Sequence, residues 1–262
     1  MNTHSLKTWA VLTAGGQSHR FQADAQAQGL TLPTNKLLSL LDAQPVLWHS
    51  LRALVASMPF EGVVITASAD ALPDFQAIVD TLQAQYPQTP LFLIEGGADR
   101  RASVQAGLAK IKTLVKRSPD FVVIHDGARP LLPVDFLPVA MHAFEDAPTL
   151  NGVIAGHPLT DTIKRTGDTS QTPCIEGTVA RHDLWAVQTP QVFRWHPLWD
   201  AHQQVAWDAT ITDDAELVER HLGKGSALRL WHCGGANLKI TTPDDLALAR
   251  FWLSRYTNSH FK

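Results

Sequence analysis

"FVVIHDGARPLL", residues 121–132, runs apolar from Phe121 to Ile124 and then turns abruptly to His-Asp-Gly-Ala-Arg-Pro. A short apolar run bounded by a turn signal reads as a strand buried on both faces, the kind found in parallel sheets. Ligands on such sheets bind outside the carboxyl ends of the strands. Asp126 then stands where a carboxylate can hold Mg²⁺, with waters and phosphate oxygens completing its shell. Gly127 leaves room beside it. Arg129 either binds an anion or pairs with Asp126 to stiffen the turn before Pro130.

The same rhythm extends on both sides. Trp9–Ala14, Gly62–Ala67 and Leu91–Ile94 read as further strands. Pro45–Ser57, Leu72–Gln85, Arg101–Val115 and Val134–Ala147 read as helices, with apolar residues three and four apart. This alternation predicts an α/β fold: a doubly wound, mostly parallel sheet with helices on both faces. The rhythm breaks near residue 152. Gly152–Ala155, Asp161–Arg165 and Thr178–Ala180 read as short strands around the polar stretch Thr166–Gly177. A hairpin so thin is not stable alone and needs something to pack on, such as a second subunit. Farther on, Trp195–Trp207 and Asp213–Leu222 read as helices, and Leu228–His232 and Asn237–Thr241 as strands. Pro243–Arg255 reads as a last helix with proline in its first turn. Gln22–Asn35, rich in Ala and Gln, reads as irregular.

The totals narrow the function. A chain of 262 residues, 45% apolar, can bury one large core. Its formal net charge is −3, without a long run of one sign, so neither nucleic acid nor a membrane surface is an expected partner. An anionic ligand must be held by a few placed cations. The two cysteines, Cys174 and Cys233, form no C-x-x-C pair, which argues against a redox or zinc motif and for a cytoplasmic setting. Met1–Thr8 lacks the charged-then-apolar layout of a signal peptide, and no stretch approaches the roughly 18 apolar residues of a membrane span. Scattered histidines give no metalloprotease spacing, and Gly-x-Ser-x-Gly is absent.

The loops after the strands carry the remaining signal. Leu12–Phe21 (LTAGGQSHRF) places Ala14, Gly15 and Gly16 where backbone N–H groups can meet a ligand, and Arg20 offers a charged fork for phosphate oxygens. It is neither a Walker loop nor G-x-G-x-x-G. An ordinary glycine turn with a surface arginine is the competing reading. Pro33–Leu41 (PTNKLLSLL) carries Lys36 before an apolar run. Glu95–Leu108 (EGGADRRASVQAGL) brings Gly97, Arg100 and Ser103 to a strand end and a helix start, where Ser103 serves either a nucleotide or an N-cap. Lys164, Arg165, Arg181 and Lys239 are weak singly. Asp213, Asp214 and Glu216 suit a helix N-terminus.

In order, A-G-G-x-x-x-R-F, N-K, G-G-x-x-R-x-x-S-V, H-D-G-A-R-P, D-T-I-K-R, T-P-Q-x-F, T-I-T-D-D-A and L-K-I-T-x-P-D-D-L-A-L-A resemble the 2-C-methyl-D-erythritol 4-phosphate cytidylyltransferases, from about Trp9 to about Leu253. The resemblance implies a single Rossmann-like nucleotidyltransferase domain over residues 1–262. Residues 156–180 would form a protruding β-arm for dimerisation, with Arg181 acting in trans. It implies CMP transfer from CTP to the polyol phosphate, with Mg²⁺ as cofactor and Asp126 as its ligand. Arg20 and Lys36 would stabilise the charged transition state, and Arg181 and Lys239 would position the acceptor. Ala14, Gly15, Gly16, Gly97, Arg100, Ser103, Asp126, Gly127 and Ala128 would surround the nucleotide. Arg129, Thr162 and Thr189 would surround the acceptor. The chain departs from the family pattern in Ser18, which replaces a loop glycine, and in a longer Arg20–Lys36 gap, read as a flap over the triphosphate. Transfer to ribitol 5-phosphate or another polyol phosphate is the nearest alternative. A non-catalytic nucleotide-binding module is the alternative of another class. A nicotinamide-dependent oxidoreductase is disfavoured by the missing fingerprint.

Overall fold

Strand β1 (Thr8–Thr13) feeds two cores at once: Ala10 and Leu12 pack on one face, Trp9 and Val11 on the other. The computed structural model describes residues 6–167, 172–208 and 210–259. Part of the polar stretch read as the turn of the arm lies outside the described residues. Helix α1 (His19–Ala27) is followed by the small ladder of β2 (Leu40–Leu41) and β3 (Gln44–Pro45). Then come α2 (Val46–Ser57), β4 (Gly62–Ala67), α3 (Leu72–Gln85), β5 (Leu91–Glu95), α4 (Arg100–Leu114) and β6 (Phe121–Asp126). The second half contains α5 (Phe136–Asp146), β7 (Gly152–Pro158), β8 (Ile163–Thr166), β9 (Ile175–Val179) and β10 (Trp185–Arg194). It closes with α6 (Trp195–Gln204), α7 (Asp214–Leu222), β11 (Leu228–His232) and α8 (Pro243–Ser259).

Seven strands form one sheet in the order β11-β7-β10-β6-β1-β4-β5. β10 runs antiparallel between β6 and β7, and the other pairings are parallel. Successive side chains of a strand point to opposite faces. Val63, Ile65, Phe121 and Val123 therefore join one core with α2, α3, α5 and α8. Val64, Val122 and Ile124 join the other with α4, α6 and α7. The chain leaves β1 toward β4 on one side and returns to β6 on the other. This is the reversal point at which open α/β sheets bind ligands. Thr13 pairs with Asp126 in the ladder, so the loops after β1 and β6 start level with each other.

Three sequence readings change. Gln22–Asn35 is not irregular throughout: its first part lies in α1, which Phe21 and Ala25 anchor in the core. Asn237–Thr241 is not a strand. It is extended chain outside any ladder, tied by Ile240 N–H to the Ala128 carbonyl at 2.8 Å. β10 was not legible as a strand, because its ladder with β7 shifts register between Val187 and Gln191, where a proline interrupts the pattern. The arm is a separate two-stranded ladder of β8 and β9, largely exposed.

α4 lies close on β1 because Gly107 has no side chain. A Cβ there would meet Val11 Cγ1 at 2.5 Å and Cγ2 at 2.9 Å. Val11 is stiff and fully buried, so it cannot retreat. Gly107→Ala should lower unfolding free energy by about 1–3 kcal/mol, measured by denaturant titration. An unchanged midpoint would show that helix and strand separate without cost.

Candidate active site

The loops after β1, β5 and β6 end at one sheet edge and line a cleft of about 450 Å³. It brings together Ala14, Gly15, Gly16, Arg20, Lys36, Gly97, Arg100, Ser103, Asp126, Ala128 and Lys239. Gln17, Ser18, His19 and Thr241 also line it, and no sequence signal had singled them out as ligands.

Asp126 ends β6 and is 6% exposed. Lys239 Nζ reaches its Oδ2 at 2.7 Å, Arg100 Nε its Oδ1 at 3.4 Å, and Arg129 Nε its Oδ2 at 3.8 Å. Thr13 Oγ1 donates to Oδ1 at 3.3 Å. Burial alone would raise the carboxyl pKa, but Arg100, Lys239 and Arg129 outweigh it and hold the group well below the usual carboxylate range. The carboxylate is therefore ionised at any physiological pH.

Arg100 is held from behind. Its Nη1 lies 2.8 Å from Asp214 Oδ2, and Asp214 Oδ1 lies 3.0 Å from His202 Nε2. Burial disfavours the Asp214 charge, yet Arg100 and His202 keep its pKa lowered. Sequence reading placed Asp213, Asp214 and Glu216 at a helix start, and α7 begins there, with Asp213 as the cap that accepts from Glu216 N–H at 2.8 Å. The pairing of Asp214 with Arg100 and His202 is what the sequence did not show. Ser103 is not the N-cap of α4. Asp99 is, accepting from Ala102 N–H at 2.8 Å, while Ser103 Oγ accepts the Gly97 N–H at 3.2 Å and shapes that loop.

Two buried groups act as struts. Thr189 Oγ1 accepts the Asp126 N–H at 3.0 Å and bonds His125 Nδ1 at 3.2 Å. Burial pushes the His125 imidazole down to about 4, so it is neutral. Arg129 is 8% exposed and donates to the Asn237 carbonyl at 2.7 Å. Gly127 accepts from Ser50 Oγ at 2.6 Å. Thr162 and Arg181 lie exposed at the base of the arm, where Arg181 bonds the Thr160 carbonyl. Gly127, Arg129, Thr162, Arg181 and Thr189 thus stand outside the lining of the cleft in this chain.

Lys36 is part-buried beside other cations. Burial first, then Lys239 and Arg20, push its ammonium pKa from 10.5 down to about 8. Among the described residues no group of three His, Cys, Asp or Glu gathers into a metal cage. The ionised, nearly buried Asp126 carboxylate on the cleft instead fits a hard cation that arrives with phosphate oxygens, since Mg²⁺ is commonly held by one or two carboxylates plus substrate phosphates.

Known proteins sharpen this picture. The family model of 2-C-methyl-D-erythritol 4-phosphate cytidylyltransferase (IspD) matches residues 8–255. The chain belongs to that family. A cytidylyltransferase of this name from Bacillus pumilus is 33% identical over 241 residues, 92% of this chain and 94% of the relative. One from a Synechococcus is 38% identical over 216 residues, 82% and 87% of the two chains. A crystal structure of a 4-diphosphocytidyl-2C-methyl-D-erythritol synthase superposes with TM-score 0.71 at 27% identity, covering 96% of this chain and 100% of that one. In this cytidylyltransferase, Asp214→Ala should cost about 1–3 kcal/mol, because it leaves the buried His202 without its carboxylate and Arg100 with Asp126 alone. Urea unfolding tests this, and a loss below about 1 kcal/mol would show that Arg100 finds another partner.

Proposed function

We propose that this enzyme transfers CMP from CTP to 2-C-methyl-D-erythritol 4-phosphate. It releases pyrophosphate and forms 4-diphosphocytidyl-2-C-methyl-D-erythritol, an isoprenoid precursor. The observation that carries this is the set of four cations, Arg20, Lys36, Arg100 and Lys239, on one cleft around an ionised Asp126. An acceptor phosphate oxygen attacks the α-phosphorus of CTP. The bond from that phosphorus to the bridging oxygen breaks, and pyrophosphate leaves with the electron pair. The acceptor phosphate is already ionised, so no general base is needed. A neutral, enclosed His125 agrees with that.

The difficulty is bringing two anions together, and positioned cations answer it. Arg20 and Lys36 face the charge that grows on the α-phosphoryl oxygens. Lys239 orients the acceptor phosphate. Ala14, Gly15, Gly16, Gly97, Arg100, Ser103 and Ala128 form the nucleotide side, with Gly127 behind them, tied to Ser50. Asp126 would hold Mg²⁺ together with phosphate oxygens of the nucleotide, and the ion would supply further charge neutralisation there. Thr189 supports the acceptor side by fixing the backbone of Asp126, and Arg129 stiffens the same corner. Arg181 and Thr162, exposed at the arm, serve the cleft of a partner subunit in a homodimer, with residues 156–180 as the arm of one domain spanning 1–262. No helix among the described residues is long and apolar enough to cross a membrane, and a cytoplasmic setting fits a reaction on soluble phosphates.

Pyrophosphate release from CTP and Mg²⁺ tests the reading, with methylerythritol phosphate as acceptor and ribitol 5-phosphate as control. Release with the first acceptor is expected. Release with ribitol 5-phosphate alone changes the substrate, and silence with both leaves a nucleotide-binding module. Lys36→Ala should lower kcat about 10²- to 10³-fold, the size expected for one lost charge-stabilising donor. Lys36 acts as its protonated form, so kcat/KM should be flat below about 8 and fall as pH rises through it. Lys36→Arg should remove that fall. If Arg181 acts in trans, mixing Arg181→Ala with Lys36→Ala protein restores turnover, because a mixed dimer has one intact site. No restoration would assign Arg181 to the cleft of its own chain.

A further inference from the structure

Arg20, in the first turn of α1, and Lys36 reach the same cleft although the rest of α1 and its return loop lie between them. A long excursion costs only slowly growing loop entropy, but it leaves the relative position of its two ends undetermined unless something closes it. The closure is visible at Ser18. Ser18 is the residue before α1, where a serine ordinarily turns its oxygen onto the first helical N–H groups. Here it makes no side-chain cap. Its backbone is left-handed, at φ 59° and ψ 19°, and its Oγ instead accepts the Lys36 N–H at 3.2 Å.

The surrounding contacts align with that bond. Phe21, 1% exposed, pins α1 to the core on one side. Leu37, 3% exposed, pins the other stem, and the Leu37 N–H is taken by Asn35 Oδ1 at 3.0 Å. Gln22 Nε2 crosses the neck to the Thr34 carbonyl at 2.7 Å and reaches the Gln17 carbonyl at 3.4 Å. Lys36 is thus flanked by two anchored residues, and its own amide is anchored by Ser18. We infer that Ser18 is a positioning residue: its hydroxyl closes the excursion onto the Lys36 amide and so fixes the Lys36 ammonium opposite Arg20, whatever lies between. This rests on the reading of Lys36 as a phosphate-facing cation. It assigns Ser18 no contact with the reacting atoms. The left-handed backbone at Ser18 would suit glycine better, so the hydroxyl, and not the backbone, is the reason for a serine.

Ser18→Gly and Ser18→Ala separate these two contributions. Both remove the oxygen. Glycine adopts the left-handed backbone freely, and alanine keeps its steric cost. Hydrogen exchange at the Lys36 amide should quicken about tenfold in both variants, as expected for one lost hydrogen bond. In pyrophosphate release, kcat should fall by about 10- to 100-fold in both, with KM for CTP little changed, because a misplaced cation is felt in the transition state. Thermal stability should diverge: Ser18→Gly melts no lower than the parent enzyme, and Ser18→Ala melts lower. Activity that followed melting temperature would make the role structural and overturn the inference. So would parental exchange at Lys36, or kcat for Ser18→Gly within about twofold of the parent. A parent enzyme that releases no pyrophosphate would instead overturn the transferase reading. The Lys36 exchange would still decide whether the hydroxyl closes the loop.

Discussion

A single carboxylate at the end of β6 organises the charge of this molecule. Asp126 has lost nearly all its water, and an isolated buried carboxylate is untenable in a medium of low dielectric. The chain answers with Lys239, Arg100 and Arg129 from three separate segments. Two of these are held in turn, Arg100 by Asp214 and Arg129 by the Asn237 carbonyl. The result is an alternating row of charges that runs from the buried Asp214 through Arg100 and Asp126 to Lys239 on the open cleft. Little of it needs to reorganise when an anion arrives, and that is the economy of a preorganised electrostatic site.

The sheet makes such a row possible. Parallel strands β1, β4, β5 and β6 deliver their loops to one edge, and the reversal at β1 leaves a crevice between two of them. The antiparallel β10 contributes differently. Its register shift frees Thr189 from the ladder, and the hydroxyl then takes the Asp126 amide. An irregularity in one strand thereby steadies the functional end of its neighbour, a common use of bulges beside active sites.

Most strands and helices were legible because buried parallel strands are apolar at every position and the helices between them keep their period. The exceptions have physical causes. α1 offers few apolar residues, and only Phe21 and Ala25 are buried, so its Ala/Gln surface hid the period. Asn237–Thr241 alternates polar and apolar residues like a strand, but it lies against a loop and has no ladder to join. Among site residues, those on glycine-rich strand ends could be read locally, since position after a strand already implies the sheet edge. Asp214 could not. Its partners Arg100 and His202 stand in other elements, and only the packing of α6 and α7 against α4 brings them to it. Ser18 was legible as a departure from a pattern, but its bond to Lys36 depends on a helix that was not foreseen.

The contacts that complete the cleft are far apart along the polypeptide. Thr13 and Asp126 are separated by 113 positions, and so are Asp126 and Lys239. A chain emerging from the ribosome, N-terminus first, therefore carries Asp126 for a long interval before the lysine that compensates it has been synthesised. The β1–β4–β5–β6 half can pair its strands in that time, but its most demanding charge then rests on Arg100 and Arg129 alone. The cleft's glycine-rich loops and its finished charge balance are in this sense separate events in the life of the protein, and the second waits for Lys239 to arrive.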